Sequence, residues 1–147
     1  MDWLPRLTVA TLIERDGRFL LVEEYADGEE LVYNQPAGHL DEHETLAAAA
    51  IRETLEETAW EVRVDAIVGV YYWTHPKGHT FVRTCFAGTA LHHHPDQPLD
   101  HGIQRALWLT RDEIAALGPK LRSPMVLRCI DDYLAGLRYP LALFTYL

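Results

Sequence analysis

The sequence has only two cysteines, Cys85 and Cys129, far apart and without metal-ligand spacing or the density of a secreted disulfide framework. No apolar run approaches the roughly 20 residues that span a bilayer. No N-terminal stretch has the pattern of a secretory signal. We therefore expect a cytoplasmic protein that does not enter the membrane.

Basic residues are also scarce, because 13 Lys and Arg stand against 22 Asp and Glu, a net charge of −9. Such a surface repels the backbone of DNA or RNA, so we expect no long nucleic acid as a partner. A small phosphate ester stays compatible, since bound cations can supply local positive charge. With 147 residues, 48% of them hydrophobic, we expect a single domain over 1–147. The sequence leaves a monomer and a homodimer open.

Apolar and β-favouring segments predict six strands, at residues 7–13, 19–22, 31–33, 62–70, 81–91 and 103–109. Asp16-Gly17 is typical of a tight hairpin turn between the first two. We predict loops over 34–39 and 92–102, where Gly, Pro and polar residues concentrate. Three helices are expected: residues 44–58 after an Asp41-x-x-Glu44 capping box, a short one capped by Thr110-x-x-Glu113, and one from Ser123-Pro124 to a stop at Gly136.

The first predicted helix carries three glutamates, Glu53, Glu56 and Glu57, within an arc of about 100°. Opposite them, Ala47, Ile51 and Leu55 form an apolar seam expected to pack on the sheet while the carboxylates point outward. Like charges four residues apart are slightly destabilising, so helix stability does not explain the cluster. Clustered carboxylates suit Mg²⁺, or Mn²⁺ in its place. The alternative is a solvated acidic helix face.

Residues 38–60, GHLDEHETLAAAAIRETLEETAW, resemble the Nudix box, G-x5-E-x7-R-E-U-x-E-E-x-G-U with U apolar. Six of the seven fixed letters are present at the right spacing. Ala59 replaces the second Gly and Thr54 an apolar residue. An Ala at a left-handed helix end is expected to cost about 1 kcal/mol or to shift that end. Segments 34–40, 121–124 and 133–141 further resemble the NudJ phosphatase branch, and the resemblance covers residues 6–141.

The resemblance implies the Nudix α/β/α sandwich, an α/β fold with a mixed twisted sheet between helices. It also implies that the Gly38 carbonyl, Glu53, Glu56 and Glu57 hold Mg²⁺, that Arg52 orients the carboxylates, and that Glu56 or Glu57 is the base. Glu44 would support the helix. The implied reaction is attack of a metal-activated water on a diphosphate linkage.

The implied substrates are small diphosphates: nucleoside di- and triphosphates, thiamine diphosphate or hydroxymethylpyrimidine diphosphate, with release of orthophosphate. Two alternatives stay open. One is a Nudix hydrolase for ADP-ribose or dinucleoside polyphosphates, because residues outside the box select the base and sugar. The other is a non-catalytic nucleotide-binding sensor, although such proteins usually lack box carboxylates and this sequence retains them.

Candidates for substrate binding outside the box rest on residue type and position alone; they are Tyr72, Trp73, His75, Arg83, Asp100, Gln104, Arg122 and Arg138. The aromatic residues suit stacking and the arginines suit phosphate. Asp100 and Gln104 lie near the last strand, where the Nudix resemblance implies a further polar or acidic group in the metal cluster. Each also has an ordinary interpretation as core, loop end or surface ion pair. For His92-His93-His94 we expect an exposed loop without function, because successive histidines do not converge on one metal.

Overall fold

A β-hairpin begins the fold in the computed structural model, which describes residues 2–26 and 28–147. Strands β1 (Arg6–Arg15) and β2 (Arg18–Ala26) meet at Asp16 and Gly17, both with positive φ, as a two-residue hairpin turn requires. The predicted Asp-Gly turn is therefore confirmed.

The remaining strands are β3 (Glu30–Asn34), β4 (Ala37–His39), β5 (Trp60–Thr74), β6 (Thr80–His93) and β7 (Ile103–Thr110). The main path of the mixed sheet runs β3-β2-β1-β6-β5, with β4 on β1 and β7 on β2. Only the β1 and β6 pairing is parallel among these strands. All six predicted strands are present, with longer bounds.

Two predicted loops were wrong at their edges. Residues 37–39 form β4, because Val9 and its neighbours in β1 supply an antiparallel partner. The loop predicted from His92 begins at His94 instead, since His92 and His93 pair with Glu61 and Trp60 at the end of β6. Both corrections have one cause: pairing with a distant strand, which a local pattern does not contain.

Helix α1 (Leu46–Thr58) begins two residues later than predicted. Thr45 is its N-cap and accepts a hydrogen bond from the Ala48 N–H at 3.1 Å. The Asp41 N–H does bond to the Glu44 side chain, at 3.0 Å, but this contact closes a turn before the helix. The left-handed backbone of His43 (φ 64°) separates that turn from the helix.

The buried face of α1 also differs from the predicted seam. Its buried apolar residues are Leu46, Ala49 and Ala50, whereas Ala47, Ile51 and Leu55 are half-buried. Residues 47–50 are all alanine, so the sequence does not distinguish which of them faces the sheet. The face of α1 that packs on the sheet is determined instead by the contacts of the helix with β5 and β1.

Helices lie on both faces of the sheet, which confirms the α/β/α sandwich. In β1, Val9 packs into the core beneath α1, while Ala10 and Leu12 pack into the core beneath α2 (Arg111–Ala116) and α3 (Met125–Leu134). Short 3₁₀ helices span Gly118–Lys120 and Leu141–Leu143. Within the two described ranges, every helix is too short or too polar to traverse a lipid bilayer.

The ends of the later helices agree closely with the sequence. Thr110 and Glu113 form the predicted capping box of α2. Pro124 takes the N-cap position of α3, one residue after the prediction, and Ser123 Oγ accepts from the Met125 N–H at 3.1 Å. Gly136, with φ 90°, follows the end of α3 as expected.

Candidate active site

Strand β4 brings Gly38 against the outer part of α1. A Cβ on Gly38 would lie 2.6 Å from Oε2 of Glu53, and still closer to Oε1 and Cδ. No side chain fits there without displacing the carboxylate. On the other side of α1, the hydroxyl of Thr54 forms a hydrogen bond of 2.7 Å with the hydroxyl of Thr11 on β1, and both side chains are fully buried. This bond accounts for a threonine at an apolar position of the box.

Carboxylate oxygens of Glu53, Glu56 and Asp100 lie within 4.8 Å of one another. Asp100 reaches the cluster because its backbone N–H donates to the carbonyl of Glu56 at 3.0 Å, which fixes the loop against the helix. These hard oxygen donors, beside a glycine that leaves space for a close approach, fit a magnesium ion. Asp100 thus lies beside the box glutamates, while Gln104 is exposed on β7, outside the cluster.

Arg52 holds several carboxylates at once. Its Nε and Nη2 donate to both oxygens of Glu44 at 2.7 and 2.9 Å, and its Nη1 donates to Glu53 at 2.9 Å and to Glu56 at 3.2 Å. These hydrogen bonds from Arg52 lower the pKa of Glu44 to about 2. They also oppose the rise in the pKa of Glu53, which burial causes. Glu44 therefore stays ionised and orients the arginine.

Glu57 differs from the other two glutamates, because it is only 8% exposed and does not point outward as predicted. Its Oε1 accepts from the Ala37 N–H at 2.8 Å. Burial raises the pKa of Glu57 to about 9, and the charges of Glu24, Glu53 and Asp100 add to the rise. Without a cation nearby, this carboxyl is therefore protonated at neutral pH.

Glu57 and Gly38 also line a cavity of about 210 Å³ on the α3 side of the sheet. Three substrate candidates lie in its wall: Trp73, Arg83 and Arg122. Arg83 is 4% exposed, so it is not the surface ion pair expected by default. Arg122 does pair with a carboxylate, that of Glu24, which is itself buried.

The other candidates lie outside the walls of this cavity. Tyr72 is 70% exposed and lines an open groove beside β5. His75 lies edge-on to Trp73, with ring centroids 5.3 Å apart, and its Nδ1 accepts from the Lys77 N–H. Arg138 stacks over Tyr133 and donates to backbone carbonyls, so its contacts are those of a structural residue.

The histidine triplet is solvent-facing as expected, although two of its members belong to β6. Trp60 stacks on His93, and His94 lies 3.3 Å from Glu61. Across the two described ranges, the group of His, Cys, Asp and Glu side chains placed to hold a metal is that of Glu53, Glu56 and Asp100.

Several cavity residues were not proposed as site residues from the sequence, namely Thr8, Glu24, Asn34, Ala37, His39, Phe81, Ser123 and Met125. They come from strands β1, β2, β3, β4 and β6 and from the start of α3. Asn34 directly precedes the conspicuous Gln-Pro-Ala-Gly run, and Phe81 is two residues from Arg83 on one strand face. Those two positions are the signals in the sequence that point to this wall.

A carboxylate cluster on the long helix of an α/β/α sandwich, next to a small cavity, is suited to hold a metal ion beside a phosphate-bearing small molecule. The model of the NUDIX domain matches residues 4–129, and the chain belongs to the Nudix hydrolase family. Enzymes of this family generally use divalent metal ions and act on small molecules with phosphorus-containing anhydrides.

The chain is 40% identical to phosphatase NudJ of Escherichia coli K12 over 137 residues, which cover 93% of this chain and 88% of the relative. It is 44% identical to a Nudix hydrolase of known structure from Nitrosomonas europaea, with a TM-score of 0.96 and 98% of each chain covered. An ADP-ribose pyrophosphatase from Streptococcus suis shares the fold at 17% identity, with a TM-score of 0.68 and coverage of 92% and 96%.

Proposed function

We propose that this chain is a Mg²⁺-dependent hydrolase of the diphosphate linkage in a small nucleoside or organic diphosphate, and that it releases orthophosphate. The convergence of Glu53, Glu56 and Asp100 beside Gly38 carries this proposal. The NudJ relative is named a phosphatase, which supports the proposed release of orthophosphate. The retained box carboxylates speak against a non-catalytic sensor.

The metal would be held by Glu53, Glu56, Glu57 and the Gly38 carbonyl, with Asp100 as a further ligand. When bound, Mg²⁺ lowers the pKa of a water and neutralises charge on the phosphate oxygens, and Mn²⁺ is expected to substitute. The buried carboxyl of Glu57 adds a reason for a cation here, because its pKa of about 9 reports that negative charge is unfavourable at this position without one.

The protein groups then have separate tasks. Arg52, held by Glu44 on one side, keeps the carboxylates of Glu53 and Glu56 in place through its hydrogen bonds. The Glu56 side chain is 39% exposed, so water can reach it from solvent. We propose that Glu56 accepts the proton of the attacking water. Glu57, 8% exposed and hydrogen-bonded to the Ala37 N–H, serves as a ligand rather than as this base.

The organic group of the substrate would occupy the cavity that begins at Gly38 and Glu57. We expect nucleoside di- and triphosphates, thiamine diphosphate and hydroxymethylpyrimidine diphosphate as substrates, as the NudJ branch implies. The cavity of about 210 Å³ offers space for one organic group beside the carboxylates.

A substrate panel with Mg²⁺, scored for orthophosphate against pyrophosphate and mononucleotide, tests the proposal. We expect Glu53→Gln to lower turnover by about 100-fold or more, whereas Glu42→Gln, an 88% exposed glutamate of the preceding loop, keeps wild-type turnover. Hydrolysis of ADP-ribose alone would contradict the substrate class. Tight binding of a diphosphate without any turnover would favour the sensor.

A further inference from the structure

Two backbone hydrogen bonds fasten the loop that carries Asp100 to the last turn of α1. The His94 N–H donates to the Ala59 carbonyl at 2.8 Å, and the Asp100 N–H donates to the Glu56 carbonyl at 3.0 Å. The last carbonyls of a helix have no partner within the helix, so they are free to accept such bonds. The loop is therefore built onto the helix end, beside the carboxylate cluster.

A glutamine side chain supplies the contact between these two points. Nε2 of Gln97 donates to the Leu55 carbonyl at 2.7 Å. That carbonyl also accepts from the Ala59 N–H at 2.9 Å, so the glutamine uses its second lone pair. Pro95 and Pro98 flank this part of the loop and have no N–H to donate. The side chain of Gln97 thus provides a donor where the backbone is poor in donors.

The connection from Gln97 to Asp100 is short and stiff. Two residues separate them, and the first, Pro98, has its φ fixed by the proline ring. The two acceptors on α1, the carbonyls of Leu55 and Glu56, belong to neighbouring residues. A displacement of Gln97 is therefore transmitted to the backbone of Asp100.

The position of Asp100 requires such an anchor. The residue is exposed, and its carboxylate oxygen lies within 4.8 Å of those of Glu53 and Glu56. Before a cation binds, like charges at this distance repel one another, and exposed loops are the segments most easily displaced. An anchor that acts in the metal-free protein keeps the carboxylate in place, so the cost of ordering the loop does not reduce the affinity for the metal.

We infer that Gln97 is a positioning residue, which holds its loop on the end of α1 and thereby presents the Asp100 carboxylate to the metal. The inference rests on the proposed function for the identity of the metal site. Gln97 acts through Asp100 and takes no part in the chemistry at phosphorus. Its loss should therefore weaken metal binding only as long as residue 100 is an aspartate.

The first test measures Mn²⁺ binding without substrate, from the electron paramagnetic resonance signal of the free ion. We expect Asp100→Asn to raise Kd about 10-fold or more, because a carboxylate ligand is lost. Gln97→Met keeps the length of the side chain but has no donor, and it should raise Kd about 3- to 10-fold. Gln104→Met, the same change at an exposed glutamine of β7, should leave Kd unchanged.

A double variant tests whether Gln97 acts through Asp100. In the Asp100→Asn background, Gln97→Met should raise Kd by less than about twofold, because the carboxylate that it positions is already gone. Losses that multiply in the double variant would overturn the inference. Binding of Mn²⁺ by Gln97→Met with the wild-type Kd would overturn it as well.

A second test follows the loop itself in the metal-free protein. We expect the Asp100 amide of Gln97→Met to exchange with deuterium about 10-fold faster than that of wild type, while the amides within α3 keep their wild-type rates. An unchanged rate at Asp100 would contradict the inference. Coupled changes in Mn²⁺ binding, in a protein that hydrolyses no diphosphate, would count against the proposed function and support the role of Gln97.

Discussion

Burial of the Glu57 carboxyl should make the metal-free protein less stable as pH rises. Its pKa is about 9 in the folded chain against 4.5 for an unperturbed glutamate. The folded state therefore binds the proton more tightly than the unfolded state, and the resulting stability is fully present below pH 4.5 and lost as pH rises toward 9. At pH 7 the loss is about 3 kcal/mol, because each unit between 4.5 and 7 is worth about 1.4 kcal/mol.

Replacement by glutamine should remove this loss. Glu57→Gln keeps an oxygen for the Ala37 N–H but cannot ionise. In EDTA, we expect the variant to be more stable than wild type by about 3 kcal/mol at pH 7 and by less than about 1 kcal/mol at pH 5. Urea denaturation at both pH values measures the difference, and other titrating groups cancel between the two proteins.

Two comparisons keep this result interpretable. Glu42→Gln, whose side chain is 88% exposed, should change stability at neither pH. Added Mg²⁺ should stabilise wild type more than Glu57→Gln, if Glu57 is a ligand. A variant that is no more stable than wild type at pH 7, or one whose gain is the same at both pH values, would refute the argument from burial.

Three further predictions concern the frame of the site. Gly38→Ala should lower kcat/KM by about 100-fold, because its Cβ displaces the Glu53 carboxylate, and unchanged metal-free melting would show that the fold is intact. Thr54→Val should lower the free energy of unfolding, measured by urea denaturation, by about 1–3 kcal/mol, because it leaves the buried Thr11 hydroxyl unpaired. The double variant, with Thr11 and Thr54 both changed to valine, should recover most of this loss, and additive losses would contradict the explanation. Ala59→Gly should change the free energy of unfolding by less than about 1 kcal/mol. Glycine relieves the left-handed backbone strain, but it also raises the conformational entropy of the unfolded chain and removes a buried methyl contact. A larger change measured by calorimetry would contradict this balance.

Local patterns predicted the elements of this fold well where each element carries its own signal. Asp16-Gly17 encodes the first hairpin, and Thr110 with Glu113 encodes the start of α2. Ala59 takes the left-handed conformation that the box assigns to glycine, with φ 62°, so the helix still ends after Thr58. Strand β4 has no comparable signal, because three residues become a strand only when β1 lies beside them.

The site was predictable to the extent that helical spacing determines it. Spacing brings Glu53 and Glu56 to one side of α1, but it does not contain the loop that carries Asp100 to them. Spacing also missed the burial of Glu57. That burial depends on Ala37 and the cavity wall, which belong to strands distant in the sequence from the helix.

Arg83 illustrates which sequence signal deserved more weight. In an acidic protein, an arginine is by default assigned to a surface ion pair; Arg122 does form an ion pair, but with the buried Glu24 in the cavity wall. Arg83, however, lies on a strand between Phe81 and Cys85, two residues away on either side, and alternation places all three on one face. A charged residue on an apolar strand face must be buried with hydrogen-bonding partners. Asn34 and Gln35 supply two of them, and both residues lie far from Arg83 in the sequence, so the partners could not be read from the strand itself.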